Sequence, residues 1–545
     1  MRASVVDNIS KWLRGTDWKL FLFLVLVMNV KLVVKLAAVI AILVLERRSF
    51  SLRSFLLRPP VIFYLLMIAV ALINLAIQYR HVHMPYLLVM SMGILLWIVP
   101  AFACYQVFGL VQKGDQEKMH RAASLFFLVH IALVFTSLLL IIFEIGTANP
   151  YTYKGLNQKY YISTGDYIRG ITFDDAVTTA MIAGFGVLYF LYRRRFFYSL
   201  LCMTGVLIIF SNLTTIFLLL ILVFIFIFRS DKVQKSMVFV FCCMFIVFIT
   251  TVSPQNNEYV VSFVYKMIGK PYYLPPVKVI TKEELKQMPD SLLSFEQYRE
   301  KTGLLYIDSI SNVIKTIAPV VDTTVATRTD TAVVIQKKIF NEYRPTEQVK
   351  EKENRFAAFL SERYAVGQKD SLNKKYDWSK PGKLIAAKQL AGFYREHPSE
   401  KWLGAGLGNF SSRIAFKSAA LGIGGRYPAK YAYLHPYFVD GHLYVYLYYH
   451  AQWQINHTAA NTPDSTYFQL AGEYGIIGVL IFLFLYAGYF SWRSRGSTFA
   501  LPVLLLMLAA FFVEYWFERI SIVVLFEFLV FLDLRTAHKE GRGHE

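Results

Sequence analysis

Long apolar runs return ten times along this chain, and nothing else constrains its fold as much. They cover residues 20–45, 61–77, 86–111, 122–145, 176–191, 196–228, 237–252, 467–490, 500–513 and 520–532. A bilayer core takes about 20 helical residues, so the runs of 26 and 33 residues each suit one long helix or two short ones. With 56% hydrophobic residues over 545 positions, an ordinary soluble surface is excluded. The expectation is an all-α polytopic membrane protein.

Charge orients it. Lys and Arg in short loops favour the cytoplasmic side. Splitting the first run at residues 29–31 and the central run at 211–212 gives about 12 transmembrane helices with both termini cytoplasmic. The inner segments then carry 22 Lys and Arg, against six in the short outer loops: Lys31, Arg80, Lys154, Lys159, Arg169 and Arg519. The chain divides into residues 1–252 with about nine spans, a 253–466 loop domain outside the cytoplasm, 467–534 with about three spans, and a 535–545 tail. The net charge of +20 lies largely in membrane-flanking loops, where it meets anionic lipid headgroups, so nucleic acid is not an expected partner. Cys104, Cys202, Cys242 and Cys243 all fall in apolar runs, which argues against a disulfide framework or a Cys-rich metal site. The first run lacks a small-residue cleavage site and reads as a span, not a signal peptide.

The long loop is expected to be mainly helical. Thr281 followed by Lys-Glu-Glu has the form of an N-cap with Glu at the third helical position, and residues 351–364 carry apolar positions at Phe356, Leu360 and Tyr364. The β-branched stretch 320–335 suits a strand pair or a connection. Leu384, Ala387, Leu390, Ala391 and Phe393 suggest an amphipathic helix ending before Pro398. Gly404, Gly406 and Gly408 then make a tight turn. GAGLGNF lacks the preceding strand of a dinucleotide fingerprint.

Ionisable groups at a membrane mouth are costly without partners or a function. PDSTYFQLAGEYGIIG, from Pro463, puts Asp464 and Glu473 there. Together with HPSEKWLGAGLGNF on residues 397–410, this motif resembles the bacterial O-antigen ligase and O-antigen polymerase superfamily. The resemblance is clearest over residues 382–486. It implies a multispanning inner-membrane glycosyltransferase with one large periplasmic loop, taking glycan from an undecaprenyl diphosphate carrier. The family's outer Arg-Gly element matches Arg169-Gly170, followed by Phe173-Asp174-Asp175. Its loop-helix Arg is replaced by Lys383. Its His-Asn pair, nine residues before the motif Glu, is replaced by Asp464-Ser465, and its central Ser-Arg pair by Ser211-Asn212. These departures leave the acceptor open between lipid A core, a growing glycan and a protein Ser/Thr.

Chemistry leads to the same residue types. A sugar-diphosphate lipid carries a good leaving group, so the protein must hold two phosphates and take a proton from the acceptor hydroxyl. Guanidinium groups match phosphate oxygens, and a carboxylate or imidazole suits the proton. Candidate diphosphate contacts are Arg169, Lys383 and Arg426; candidate bases are Asp464 and His457. Each has a plainer reading: interfacial anchor for Arg169, helix N-cap for Asp464, polar surface for His457, and solvated charge for Lys383 and Arg426. His435, His442 and His450 are weaker candidates. Glu473, Gly475 and Gly478 read as scaffold, with the glycines permitting close helix approach. Trp402, Tyr427, Tyr431, Tyr433, Tyr437 and Trp453 suit sugar stacking or an interfacial belt. No metal or other cofactor is required, since the histidines lack compact ligand spacing and no acidic pair lies nearby. A lipid-linked glycan flippase or transporter is the non-enzyme alternative; it needs ionisable residues at midplane, where Lys35 is the main exception to apolar sequence. A membrane-anchored glycan-binding protein is a third possibility.

Overall fold

The computed structural model describes residues 13–46, 51–77, 83–153, 162–253, 376–378, 380–423, 425–451 and 459–542, with a few positions between 261 and 305. All regular structure among them is helical. The helices before the long loop include α1 Trp18–Val27, α2 Leu32–Leu45, α3 Pro59–Ile77, α4 Met84–Lys113, α5 Gln116–Ile145, α6 Ala176–Tyr192, α7 Phe196–Ile209, α8 Asn212–Phe228 and α9 Lys232–Val247. Beyond the long loop come α10 Gly382–Glu396, α11 Arg413–Ser418, α12 Thr466–Ile481, α13 Ala500–Ala510, α14 Trp516–Arg519 and α15 Ser521–Arg542.

Each apolar run forms helix, and local chemistry sets the ends. Asp17, Asp115, Asp175 and Asp231 accept hydrogen bonds from first-turn amides of α1, α5, α6 and α9, satisfying donors that a helix start leaves bare. Both long runs break where polar residues interrupt them: α1 stops before residues 28–31, and α7 stops at Phe210, whose φ is +44°. Five helical stretches are long and apolar enough to cross a membrane: Pro59–Ile77, Met84–Lys113, Gln116–Ile145, Lys232–Val252 and Thr466–Gly496. Phe143, Phe228, Phe484 and Val33 face outward from the bundle. Lipid solvates such side chains and water does not. The protein is a helical membrane protein.

The core is built on α15, whose residues from Ser521 to Asp533 are all buried; α4 and α13 pack along it, and Tyr64 of α3 donates to its Glu527 at 2.6 Å. One sequence expectation needs correction. Gly382–Glu396 is a helix, but its buried face is Lys383, Ile385, Ala386, Gln389 and Phe393, while Leu384 is exposed. The helix packs by its polar beginning against residues 460–464: the Lys383 amide donates to the Ala460 carbonyl at 3.1 Å, and a side chain at Gly382 would stand 2.0 Å from the Asn461 oxygen. Apolar periodicity alone misses a face anchored by a lysine. The short helix Lys282–Gln287 forms where the Thr281 motif predicts one, whereas 320–335 and 351–364 lie outside the described residues.

Candidate functional site

The polar loop returns to the bundle through the glycine turn. The Ala405 and Gly406 amides donate to the Gly472 and Glu473 carbonyls at 2.8 and 3.1 Å, and Asn74 of α3 donates to the Gly404 carbonyl at 2.8 Å. This contact leaves no room for side chains. A Cβ on Gly404 would stand 2.4 Å from the Glu473 carbonyl carbon, and one on Gly475 would stand 2.5 Å from that of Trp402. Gly475 also breaks the α12 helix at φ +63°, a conformation that costs other residues energy. Gly408 belongs to the same turn, and Gly478 sits against Tyr474.

Glu473 is buried beneath this turn. Its Oε1 accepts the Ser411 amide at 3.1 Å, while Oε2 has no hydrogen-bond partner among the described residues. Ser411 continues a buried chain: its Oγ lies 2.5 Å from His442 Nδ1 and 2.7 Å from the Tyr515 hydroxyl. The His442 Nε2 faces the Ala386 carbonyl at 3.3 Å, so the proton belongs on Nε2 and Nδ1 accepts from Ser411. Burial pushes the imidazole down to about 3, which keeps it neutral. His442, the weaker candidate in sequence, is thereby a fixed internal connector.

Lys383 and Asp464 come together. The lysine is 3% exposed, and its Nζ donates to the backbone carbonyl of Asp464 and to that of Val513, the latter at 3.3 Å. Burial holds its pKa below the ordinary lysine range, opposed by the charges of Asp464 and Glu514. The Asp464 carboxyl is raised well above the usual range, first by burial and then by Glu514, with Lys383 pulling the other way. Its side chain caps nothing. Ser465 holds the N-cap position and donates through Oγ to the Phe511 carbonyl at 3.2 Å. A half-buried carboxyl with a raised pKa beside an ammonium is suited to taking up and releasing a proton.

Arg519, at the end of α14, ties the neighbouring loops together. Its Nη1 meets Asp175 at 2.5 Å, Asp174 at 3.2 Å and the Thr178 hydroxyl at 2.9 Å, and its Nη2 meets Glu514 at 2.7 Å. Burial opposes its charge, but these three carboxylates win and hold the guanidinium firmly protonated. Lys35 anchors the same turn from α2, donating to the Arg519 carbonyl at 2.7 Å and the Ser521 hydroxyl at 2.5 Å. Lys35 is therefore a fastening between helices, with both contacts inside the bundle. Glu518 accepts the Ile414 amide at 2.8 Å and the Gln469 side chain at 2.5 Å, and burial raises its pKa to about 8.

Arg169 stands in the loop leading to Asp174 and Asp175. Its amide donates to Ser137 at 3.1 Å and its Nη1 to the Asp166 carbonyl, which leaves its remaining donors without hydrogen bonds among the described residues. Arg413, at the start of α11, is half-buried, forms no hydrogen bond or ion pair among the described residues, and acts electrostatically on both Asp175 and Glu518. Arg426 is exposed and makes no described contact with this cluster, and His457 lies outside the described residues. Sequence reasoning counted Arg519 only as a loop charge and passed over Arg413, Glu514 and Glu518. Three ionisable residues packed into residues 514–519, between two apolar runs, were the available signal. No family model matches this chain, and no curated protein matches it.

Proposed function

We propose that this protein is a membrane glycosyltransferase of the O-antigen ligase type, moving an oligosaccharide or polysaccharide from undecaprenyl diphosphate to an acceptor hydroxyl. In this reading twelve helices cross the bacterial inner membrane, both termini are cytoplasmic, and residues 253–466 lie in the periplasm. The acceptor is lipid A core, with a growing glycan or a protein Ser/Thr as close variants.

The observation that carries the reading is the Asp464 carboxyl, raised by burial and held beside Lys383 where the membrane helix α12 begins. Asp464 takes the proton of the acceptor hydroxyl. The acceptor oxygen forms a bond to the anomeric carbon of the donor sugar as the bond from that carbon to the phosphate oxygen breaks. Undecaprenyl diphosphate leaves with the electron pair. Lys383, with its ammonium already bound to two carbonyls, acts as a positioning residue for Asp464 instead of a direct diphosphate ligand. Arg169, whose guanidinium has donors without hydrogen bonds among the described residues, and Arg413, which has no ion pair among them, bind the diphosphate. Arg519 is committed to three carboxylates and serves as the frame.

Purified protein incubated with an undecaprenyl-diphosphate-linked glycan and, separately, lipid A core, free glycan and Ser/Thr peptide tests this. Glycan should appear on one acceptor class, detected by mass. Absence of transfer to every acceptor, together with scrambling of the lipid-linked glycan across a bilayer, would replace the enzyme by a flippase.

A further inference from the structure

At the far end of the bundle a second polar feature stands apart from this site. Helix α3 carries Asn74 at the glycine turn but begins, roughly 22 Å away at 1.5 Å per residue, at Pro59. Helix α15 likewise starts beside Lys35 and Arg519 and runs away from them toward Arg535. Around these distant ends lies a cavity of about 490 Å³, a volume that suits a small ligand or a lipid headgroup with part of its chain.

Three arginines line it, each from a different part of the chain: Arg58 ahead of α3, Arg493 after α12, and Arg535 in α15. None of the described lining residues is acidic, and none of the three arginines forms an ion pair among the described residues. Arg58 lies 4.0 Å over the Phe108 ring and bonds Ser54, which fixes its direction. Arg535 donates through Nη1 to the Val111 and Gly114 carbonyls at the end of α4, and its other nitrogens make no hydrogen bond among the described residues. Arg493 makes no hydrogen bond among the described residues. Apart from Gln112 and the Tyr489 phenol the remaining wall is apolar, with Val61, Phe108 and Phe531 among its lining residues.

Scattered membrane-flanking arginines orient a protein and each meets lipid separately. Three that line one cavity repel one another without an anion between them. We propose that this cavity binds a phosphate-bearing amphiphile, its phosphate on Arg58, Arg493 and Arg535 and its hydrocarbon chain along Val61, Phe108 and Phe531. Guanidinium forks match phosphate oxygens, and the mixed lining matches a headgroup joined to an acyl chain. The site does not depend on the transfer chemistry proposed above. With the proposed orientation it opens to the cytoplasmic leaflet.

Fluorescent phosphatidic acid in phosphatidylcholine nanodiscs provides the probe. Wild-type protein should bind it saturably, and Arg493→Gln should weaken binding about tenfold, the loss expected for a charge-assisted contact. Arg493 is exposed and makes no hydrogen bond among the described residues, so this variant should keep the wild-type melting temperature. Arg58→Gln with Arg493→Gln should abolish saturable binding. Competition by millimolar inorganic phosphate or diphosphate would assign the phosphate to a soluble ligand, and absence of competition would assign it to lipid. Equal probe binding by all variants, or binding of neither the lipid nor the free anions, would overturn the site.

Discussion

Replacing Asp464 by Asn separates chemistry from scaffolding, because the two roles of this residue use different atoms. Its backbone carbonyl accepts the Lys383 ammonium, and that contact survives the change. Its carboxyl is the proposed base and makes no N-cap bond. Loss of a general base lowers a rate by roughly 10²–10⁴, equivalent to about 2.7–5.4 kcal/mol of barrier. Stability should move the other way. Burial and Glu514 raise the Asp464 pKa above its unfolded value of about 3.9, so the protonated form favours folding at low pH and this contribution is lost as pH rises through the folded value. An amide keeps the neutral state at every pH. Thermal unfolding at pH 8 should therefore find Asp464→Asn at least as stable as wild type, while single-turnover transfer falls at least a hundredfold. The wild-type rate should decline as pH falls through the raised Asp464 pKa. Transfer within threefold of wild type, or loss of transfer accompanied by a lower melting temperature, would refute the assignment.

Arg169→Ala removes a guanidinium whose side-chain bonds are to carbonyls of its own loop, so melting should shift little while transfer drops by roughly 10²–10³, as for a lost oxyanion donor. Arg519→Ala strands half-buried Asp174 and Glu514 without their cation and should cost about 2–4 kcal/mol, seen as reduced yield and melting temperature; Asp175, with 37% of its side chain exposed, adds little. Gly475→Ala forces a side chain into the Trp402 backbone at positive φ and should lower stability by at least about 1–3 kcal/mol in the same assay. Glu473→Gln keeps an oxygen for the Ser411 amide, so transfer per folded molecule should stay near wild type while folding yield falls by an amount equivalent to about 1–2 kcal/mol.

Helices were legible where apolar length and polar interruption coincide. The breaks at residues 28–31 and at Phe210 fall where Asn29, Lys31, Ser211 and Asn212 interrupt the runs. The buried face of α10 was not legible, because it begins with Lys383 and is set by contact with residues 460–464, about eighty positions away. The glycine turn was visible, but the reason for it was not: Gly404 and Gly475 make room for each other's backbones across seventy residues, a spacing no local pattern carries. Asp464 was found by its place before a membrane helix. Arg519 was hidden because counting loop charges assigns orientation alone, while its chemistry depends on Glu514 in its own loop and on Asp174 and Asp175 from a second loop more than 300 residues earlier.

The central claim is glycosyl transfer with departure of the lipid diphosphate, and stoichiometry tests it most directly. In a single turnover of wild-type protein with radiolabelled donor and acceptor, undecaprenyl diphosphate released should equal new glycosidic bonds formed, one for one. Release without a new bond, or donor consumed by neither route while lipid crosses the bilayer, would contradict it.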